Sequence, residues 1–241
     1  KAVILREGGK VGEIYGYVVE GVYGTNDFNA DGTPKKGVAV AGVGEKPGYI
    51  RYKDVKADGA ITTDDRDVIG NSMPDFYGAF GTSLSYKGFQ LDLGFQYSCG
   101  NDIYNANYVQ TARFDKTSYN QMKFFEERWT PENPSSTQYA DMQYGTMSSA
   151  FVEDASFLRI KTARLSYTFP QAMLKKTKVI SGLKIYVAGD NLYTFTNYSG
   201  YDPEIHTAQS SGSMTGALMS GFDYGAFPLA RTYSFGLNLT F

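Results

Sequence analysis

The sequence predicts an all-β fold in which about six strands belong to a transmembrane β-barrel and are joined by long loops on one side. Three observations carry this. Tyr (20), Phe (16) and Gly (27) are abundant while Pro (8) and Trp (1) are scarce, a mix suited to strands and turns. Several stretches alternate apolar and polar residues with period two. The connections between them alternate long and short, as in barrels with long extracellular loops and short periplasmic turns.

Taken in chain order, residues 12–23 form the first and least regular strand candidate. The next is 77–86, and Lys87-Gly88 supplies a tight turn into 89–98. There Phe89, Leu91, Leu93, Phe95 and Tyr97 share one face, with Gln90, Asp92, Gln96 and Ser98 on the other. In 156–169 the apolar track changes phase, from Leu158 and Ile160 to Leu165, Tyr167 and Phe169, as a β-bulge requires. A further strand is expected at 182–195.

The end of the chain has the clearest pattern: Tyr233, Phe235, Leu237, Leu239 and Phe241 alternate with Ser234, Gly236, Asn238 and Thr240. About ten residues at roughly 3.3 Å per residue, tilted near 45°, cross approximately the 25 Å apolar band of an outer-membrane barrel. Arg231 lies on the same face just beyond that track.

The connections run long (about 24–76), tight (Lys87-Gly88), long (about 99–155), moderate (170–181) and long (about 196–226). With the last strand descending to the periplasm, every long loop falls outside and every short turn inside. A soluble sandwich has no reason to sort its loops in this way, although six strands are too few to close a large barrel. The loops are rich in Ser, Thr, Gly, Asn and Tyr, and Gln209 to Ser213 reads as a flexible stretch. Asn120 to Trp129, carrying Met122, Phe124 and Phe125, reads as one short helix within its loop. Lys175, Lys176 and Lys178 read as a solvated face.

Composition also excludes. Lys plus Arg (23) nearly balance Asp plus Glu (25), so the basic footprint that nucleic-acid binding demands is absent. One Cys, Cys99, and one His cannot make an internal disulfide or a Cys/His zinc site, and Cys99 reads as a small strand side chain. No run of about 18 apolar residues occurs, which excludes an ordinary transmembrane helix but not a barrel. A mean hydropathy of −0.34 is likewise compatible with a barrel. The start at Lys1-Ala2-Val3, without Met or signal peptide, reads as a fragment or processed product.

An ordered series of motifs carries a resemblance. It comprises Gly16-Tyr17 with Gly21-Val22-Tyr23, Gly48-Tyr49-Ile50-Arg51-Tyr52-Lys53-Asp54, and Arg66-Asp67-Val68-Ile69-Gly70 followed by Pro74-Asp75-Phe76-Tyr77-Gly78. Further along stand Arg128-Trp129-Thr130-Pro131-Glu132-Asn133-Pro134, Val152 to Lys161, Asp190 to Thr196, Tyr198 to Glu204, and Pro228 with Arg231-Thr232-Tyr233 and Phe241. The series resembles the C-terminal region of SusC/RagA-type TonB-linked outer-membrane proteins. That resemblance implies the C-terminal strands of a large, plugged transmembrane barrel of about 22 strands. It also implies TonB as energy source through a region absent here, a SusD-like surface lipoprotein as partner, and a glycan or peptide as substrate. Neither plug nor TonB-contacting segment is visible in this sequence.

Asp54 to Asp65 resembles an EF-hand calcium loop: Asp54 first, Asp58 fifth, Gly59 sixth, the Ala60 carbonyl seventh, Thr62 ninth and Asp65 twelfth, with Ile61 as an anchor. Lys56 stands third, where an oxygen ligand is expected, and Asp65 is shorter than the usual Glu, so calcium and a metal-free turn both remain open. Asp27 to Gly32 starts alike but has Val38 in twelfth place and reads as a polar turn. Gln90, Asp92 and Gln96 are expected to face the lumen. Glu153 and Asp154 read as loop-ordering groups. Asp202, Glu204 and His206 lack a nucleophile or second base nearby in sequence, so no enzyme is expected. The alternative to a transporter is a soluble, calcium-stabilised all-β domain that binds glycans at a surface.

Overall fold

The computed structural model describes residues 4–42, 44–111, 120, 123–134, 139–140, 147–175, 178–204 and 221–241. Its strands in chain order are β1 (Glu13–Tyr17), β2 (Val19–Val22), β3 (Ile50–Tyr52), β4 (Arg66–Asn71), β5 (Phe76–Tyr86) and β6 (Phe89–Cys99). They continue as β7 (Asp102–Asn105), β8 (Val152–Asp154), β9 (Phe157–Thr168), β10 (Gly182–Thr196), β11 (Phe222–Asp223) and β12 (Thr232–Thr240). Among the described residues there are also two short α-helices, α1 (Ala106–Thr111) and α2 (Gln171–Leu174), and four 3₁₀ turns.

These elements fall into two compact units. The first comprises Lys1–Met73, Asp102–Glu153 and Ile205–Ala226, the second Pro74–Asn101, Asp154–Glu204 and Phe227–Phe241.

The second unit is one five-stranded antiparallel sheet in the order β12-β10-β9-β6-β5. Each long period-two segment of the sequence is one of its strands. β5 and β6 join through a two-residue turn with positive φ at both Lys87 (46°) and Gly88 (88°), the type I′ geometry whose twist matches that of the flanking strands. A Cβ at Gly88 would sit 2.7 Å from the Thr168 carbonyl oxygen, so glycine is required there on two grounds.

The phase change in β9 is a bulge. Against β6, Gly94 pairs with Thr162 but Phe95 with Ile160, which leaves Lys161 as the extra residue. The insertion keeps the even-numbered Leu158 and Ile160 opposite Tyr97 and Phe95, while the odd-numbered Leu165 and Tyr167 lie opposite Leu91 and Phe89. Without it, half of the strand would present its polar residues to the apolar face. β10 answers with a bulge of its own between Asp190 and Tyr193, where Asn191 takes φ of 53°.

The first unit gathers stretches that the sequence presents as connections. Residues 12–23 do not form one strand. They divide into β1, paired with β4, and β2, paired with β3, with register shifts between Ile14 and Tyr15 and between Val19 and Gly21. β11, β7 and β8 make a further small sheet. Its core contains Ile14, Ile50, Tyr52, Ile61, Tyr104, Ala106, Tyr139, Phe151 and Phe222. Tyr23 is also buried and donates its hydroxyl to the Ala39 carbonyl at 2.6 Å; burial pushes that hydroxyl's pKa up to about 12. The helix expected over 120–129 is a 3₁₀ turn over Lys123–Glu127. Gln209 to Ser213, Met122 and Lys176 lie outside the described residues.

Candidate functional site: a two-faced sheet and a buried arginine

Register places all the apolar tracks of the sheet on one face. Across it run Leu84, Leu91, Leu165 and Val187, and beside them Tyr86, Phe89, Tyr167, Ile185 and Leu237. On β5 and β6 aromatic rings gather toward the strand ends with Leu84, Leu91 and Leu93 between them, while on β12 Phe235 stands level with Leu84, Leu91, Leu165 and Val187. Phe80 stacks on Phe95 with centroids 4.9 Å apart, and Tyr193 meets Phe195 edge-on at 4.7 Å, toward one end. Phe89 and Tyr167 meet at 4.5 Å, and Tyr167 with Phe169 at 4.9 Å, toward the other. This face is uncovered: Phe235 is 77% exposed, Leu84 59%, Leu237 54% and Val187 50%. An apolar patch of five strands is far larger than single exposed residues on a soluble monomer require.

The opposite face is polar and internally bonded. Gln90, Asp92 and Gln96 all lie on it, as their spacing predicts. Ser83 donates to Asp92 Oδ1 at 2.6 Å, Gln90 Nε2 to the same oxygen at 2.9 Å, and Lys184 Nζ to Gln90 Oε1 at 3.2 Å. Arg164, opposite Asp92 in register, lies 4.0 Å from the centroid of the Tyr186 ring. Opposite Tyr186 stands Gly236, where a Cβ would come within 2.3 Å of that ring.

Toward the outgoing end of β10 the polar face holds a cluster that sequence reasoning missed. Arg159 of β9 is 1% exposed. Its Nε donates to Thr194 Oγ1 at 2.9 Å, one terminal nitrogen to Glu204 Oε2 at 2.6 Å, and the other to Asp202 Oδ1. Gln96 Nε2 donates to the remaining Glu204 oxygen at 2.8 Å. Both Asp202 and Glu204 are therefore engaged by a cation. His206 lies outside the described residues. The signal was present, since the two motifs Phe157-Leu158-Arg159 and Tyr201-Asp202-Pro203-Glu204 each carry a charge with no partner in its own segment.

The loop from Asp54 to Asp65 lies in the first unit. Asp54 accepts from the amides of Asp58 (3.3 Å) and Gly59 (2.8 Å), and Asp58 from that of Ala60 (3.0 Å). Asp65 is fully buried; it accepts from the amides of Lys56 (3.0 Å) and Thr62 (2.7 Å) and from the Thr62 hydroxyl (3.2 Å). Those amide donors hold its carboxyl below the ordinary Asp pKa. Ile61 anchors the loop in the core and donates its amide to the Val40 carbonyl at 3.0 Å. Gly59 takes φ of 88° at the sharp turn. Among the described residues no three His, Cys, Asp or Glu side chains converge as a metal cluster.

The Asp27 to Gly32 stretch is a polar turn. Asp31 accepts from the Thr33 amide (2.9 Å) and hydroxyl (2.6 Å), and Asp27 from the Gly24 amide (2.8 Å). Glu153 and Asp154 lie in β8 rather than in a loop: Glu153 accepts from Asn105 Nδ2 of β7 at 2.8 Å, and Asp154 from the Ser156 amide at 2.9 Å just past the strand's end. Cys99 is a half-buried free thiol at the end of β6. Lys175 and Lys178 are exposed.

No protein-family model matches the chain. Among characterised proteins it is 34% identical to TonB-dependent receptor P3 of Formosa agariphila, covering 99% of this chain and 23% of that protein. It is 25% identical to TonB-dependent receptor SusC of Bacteroides thetaiotaomicron, covering 81% of this chain and 18% of SusC. The chain thus spans about a quarter or less of these relatives. Among solved structures, a chain of the RagAB peptide transporter superposes with a TM-score of 0.72 at 22% identity, covering 95% of this chain and 22% of that one. The likeness to that structure is one of fold.

Proposed function

This chain is a homologue of TonB-dependent receptors, 34% identical to one over 99% of its length and 25% identical to SusC over 81%, and from that premise we propose that its five-stranded sheet is part of the wall of an outer-membrane nutrient importer. The apolar face meets lipid, the polar face with Gln90, Asp92 and Gln96 lines the lumen, and the long connections face the cell exterior. The observation that carries this reading is the single uncovered apolar face that runs across all five strands, with aromatic rings toward both ends of β5 and β6 as at the interfaces of a lipid-facing band. A soluble glycan-binding domain would leave that face in water, at a cost of about 25 cal/mol per Å² of apolar surface.

In this proposal the complete receptor takes up glycans or peptides, draws energy from TonB, and works with a SusD-like lipoprotein that captures the substrate. Purification of the full-length protein tests the membrane part. It is expected to need detergent, and a protein that stays soluble and monomeric without detergent overturns the reading. A SusD-like lipoprotein is expected to co-purify with the full-length protein from mildly solubilised outer membranes, and its absence from the purified complex would remove that partner.

Calcium at Asp54, Asp58, Ala60, Thr62 and Asp65 is a separate proposal that rests on the donor set. A carboxylate offers about four acceptor positions. Asp54 uses two for amides and Asp58 one, which leaves oxygens for a cation, whereas Asp65 is largely committed to Lys56 and Thr62. Titration calorimetry decides it, and no heat at millimolar calcium discards the site.

A further inference from the structure

Arg159 does more than neutralise two acids. Asp202 Oδ1, which receives the arginine, also accepts from the Glu204 amide at 2.9 Å, and Asp202 Oδ2 accepts from the Leu229 amide at 3.3 Å. Asp202 and Glu204 lie just after β10, and Leu229 lies just before β12. One buried guanidinium therefore fixes, through one carboxylate, both the outgoing and the returning end of the connection between these strands. A second tie runs from Asn191 Nδ2 in the β10 bulge to the Ala230 carbonyl at 3.0 Å.

The position of the cluster explains why such a device is needed. β12 pairs with β10 only from Gly182 to Asp190, so the rest of β10, as far as Thr196, has no sheet partner on that side among the described residues. A cleft of roughly 640 Å³ opens there, bounded by Thr194 and Thr196 on β10, Tyr201 and Pro203 on one bank, and Pro228 and Arg231 on the other. Its two banks are the two chain ends that Asp202 holds together.

We infer that Arg159 is a positioning residue, a latch on the polar face that sets both banks of this cleft and fastens the β10–β12 connection to the sheet. The roles of its acids are unequal. Asp202 is buried and bridges to Leu229, whereas Glu204 is about one-third exposed and its side chain reaches, among the described residues, only Arg159 and Gln96. Removing Asp202 takes away the tie at Leu229 and leaves the one at Ala230, while removing the Glu204 charge leaves a balanced one-to-one pair.

The latch stands whether or not the protein imports nutrients. Amide hydrogen exchange on the intact protein in detergent reads it at Glu204 and Leu229, with Leu91 and Leu165 in mid-sheet as controls. R159M is expected to raise exchange at Glu204 and Leu229 at least tenfold while the controls hold, and R159K to raise it less. D202A is expected to do the same at Leu229, and E204Q to change it less than threefold. Unchanged protection at both amides in R159M overturns the latch. If R159M loses the sheet as well, D202A decides, and intact protection at Leu229 in that variant overturns it equally. Leu229 loosened as much by E204Q as by D202A contradicts the unequal roles.

Discussion

Asp65 shows how much one side chain can hold in place. Two backbone amides and a hydroxyl converge on its buried carboxylate, which lowers its pKa below the ordinary value near ~3.9. A depressed folded-state pKa contributes stability that is present above the unfolded-state value and is lost as pH falls through the folded one. The 54–65 loop is therefore expected to stay ordered at neutral pH and to loosen below about pH 4, read as rising amide exchange at Lys56 and Thr62. Asp65→Asn removes the charge and is expected to cost about 1–3 kcal/mol in thermal unfolding. Arg159→Met leaves two carboxylates facing each other without their cation, and is expected to cost about 3–5 kcal/mol. The Asp54 to Asp65 arrangement was legible because its partners lie within one turn of chain. The Arg159 cluster was not, since 43 residues separate it from Asp202 and pairing at that distance depends on strand register.

At the scale of elements, the five long strands were legible from alternation alone, because each has one face buried or uncovered as a block. Even the β9 bulge was written in the sequence as a change from even to odd apolar positions. The failure at 12–23 has a physical reason: β1 and β2 are short, pair with different partners, and belong to a unit whose core draws single residues such as Ile14 and Ile50 from scattered segments. No period survives such sampling, so 12–23 reads as one irregular strand and the later segments of this unit as loops. The turn at Lys87-Gly88 makes its own prediction. Gly88→Ala puts a Cβ into a positive-φ position against the Thr168 carbonyl, and is expected to destabilise the β5–β6 hairpin by about 1–2 kcal/mol. Equal stability would show that the turn relaxes into another type.

At the scale of the whole molecule, the decisive property is the medium that each face of the sheet meets. Leu237 is half-exposed on the apolar face. In water, Leu237→Arg would change stability by no more than about 0.5 kcal/mol. In a bilayer it is expected to cost about 2–4 kcal/mol, falling toward the strand ends. The most direct measurement places spin labels one at a time along β12, from Tyr233 to Thr240, in the full-length protein reconstituted into bilayers. Labels at 233, 235, 237 and 239 are expected to collide with dissolved oxygen and be shielded from a water-soluble nickel chelate, and labels at 234, 238 and 240 to show the reverse, Gly236 being left unlabelled because Tyr186 fills the space beside it. Equal access of the nickel chelate to both sets would contradict the membrane-spanning sheet.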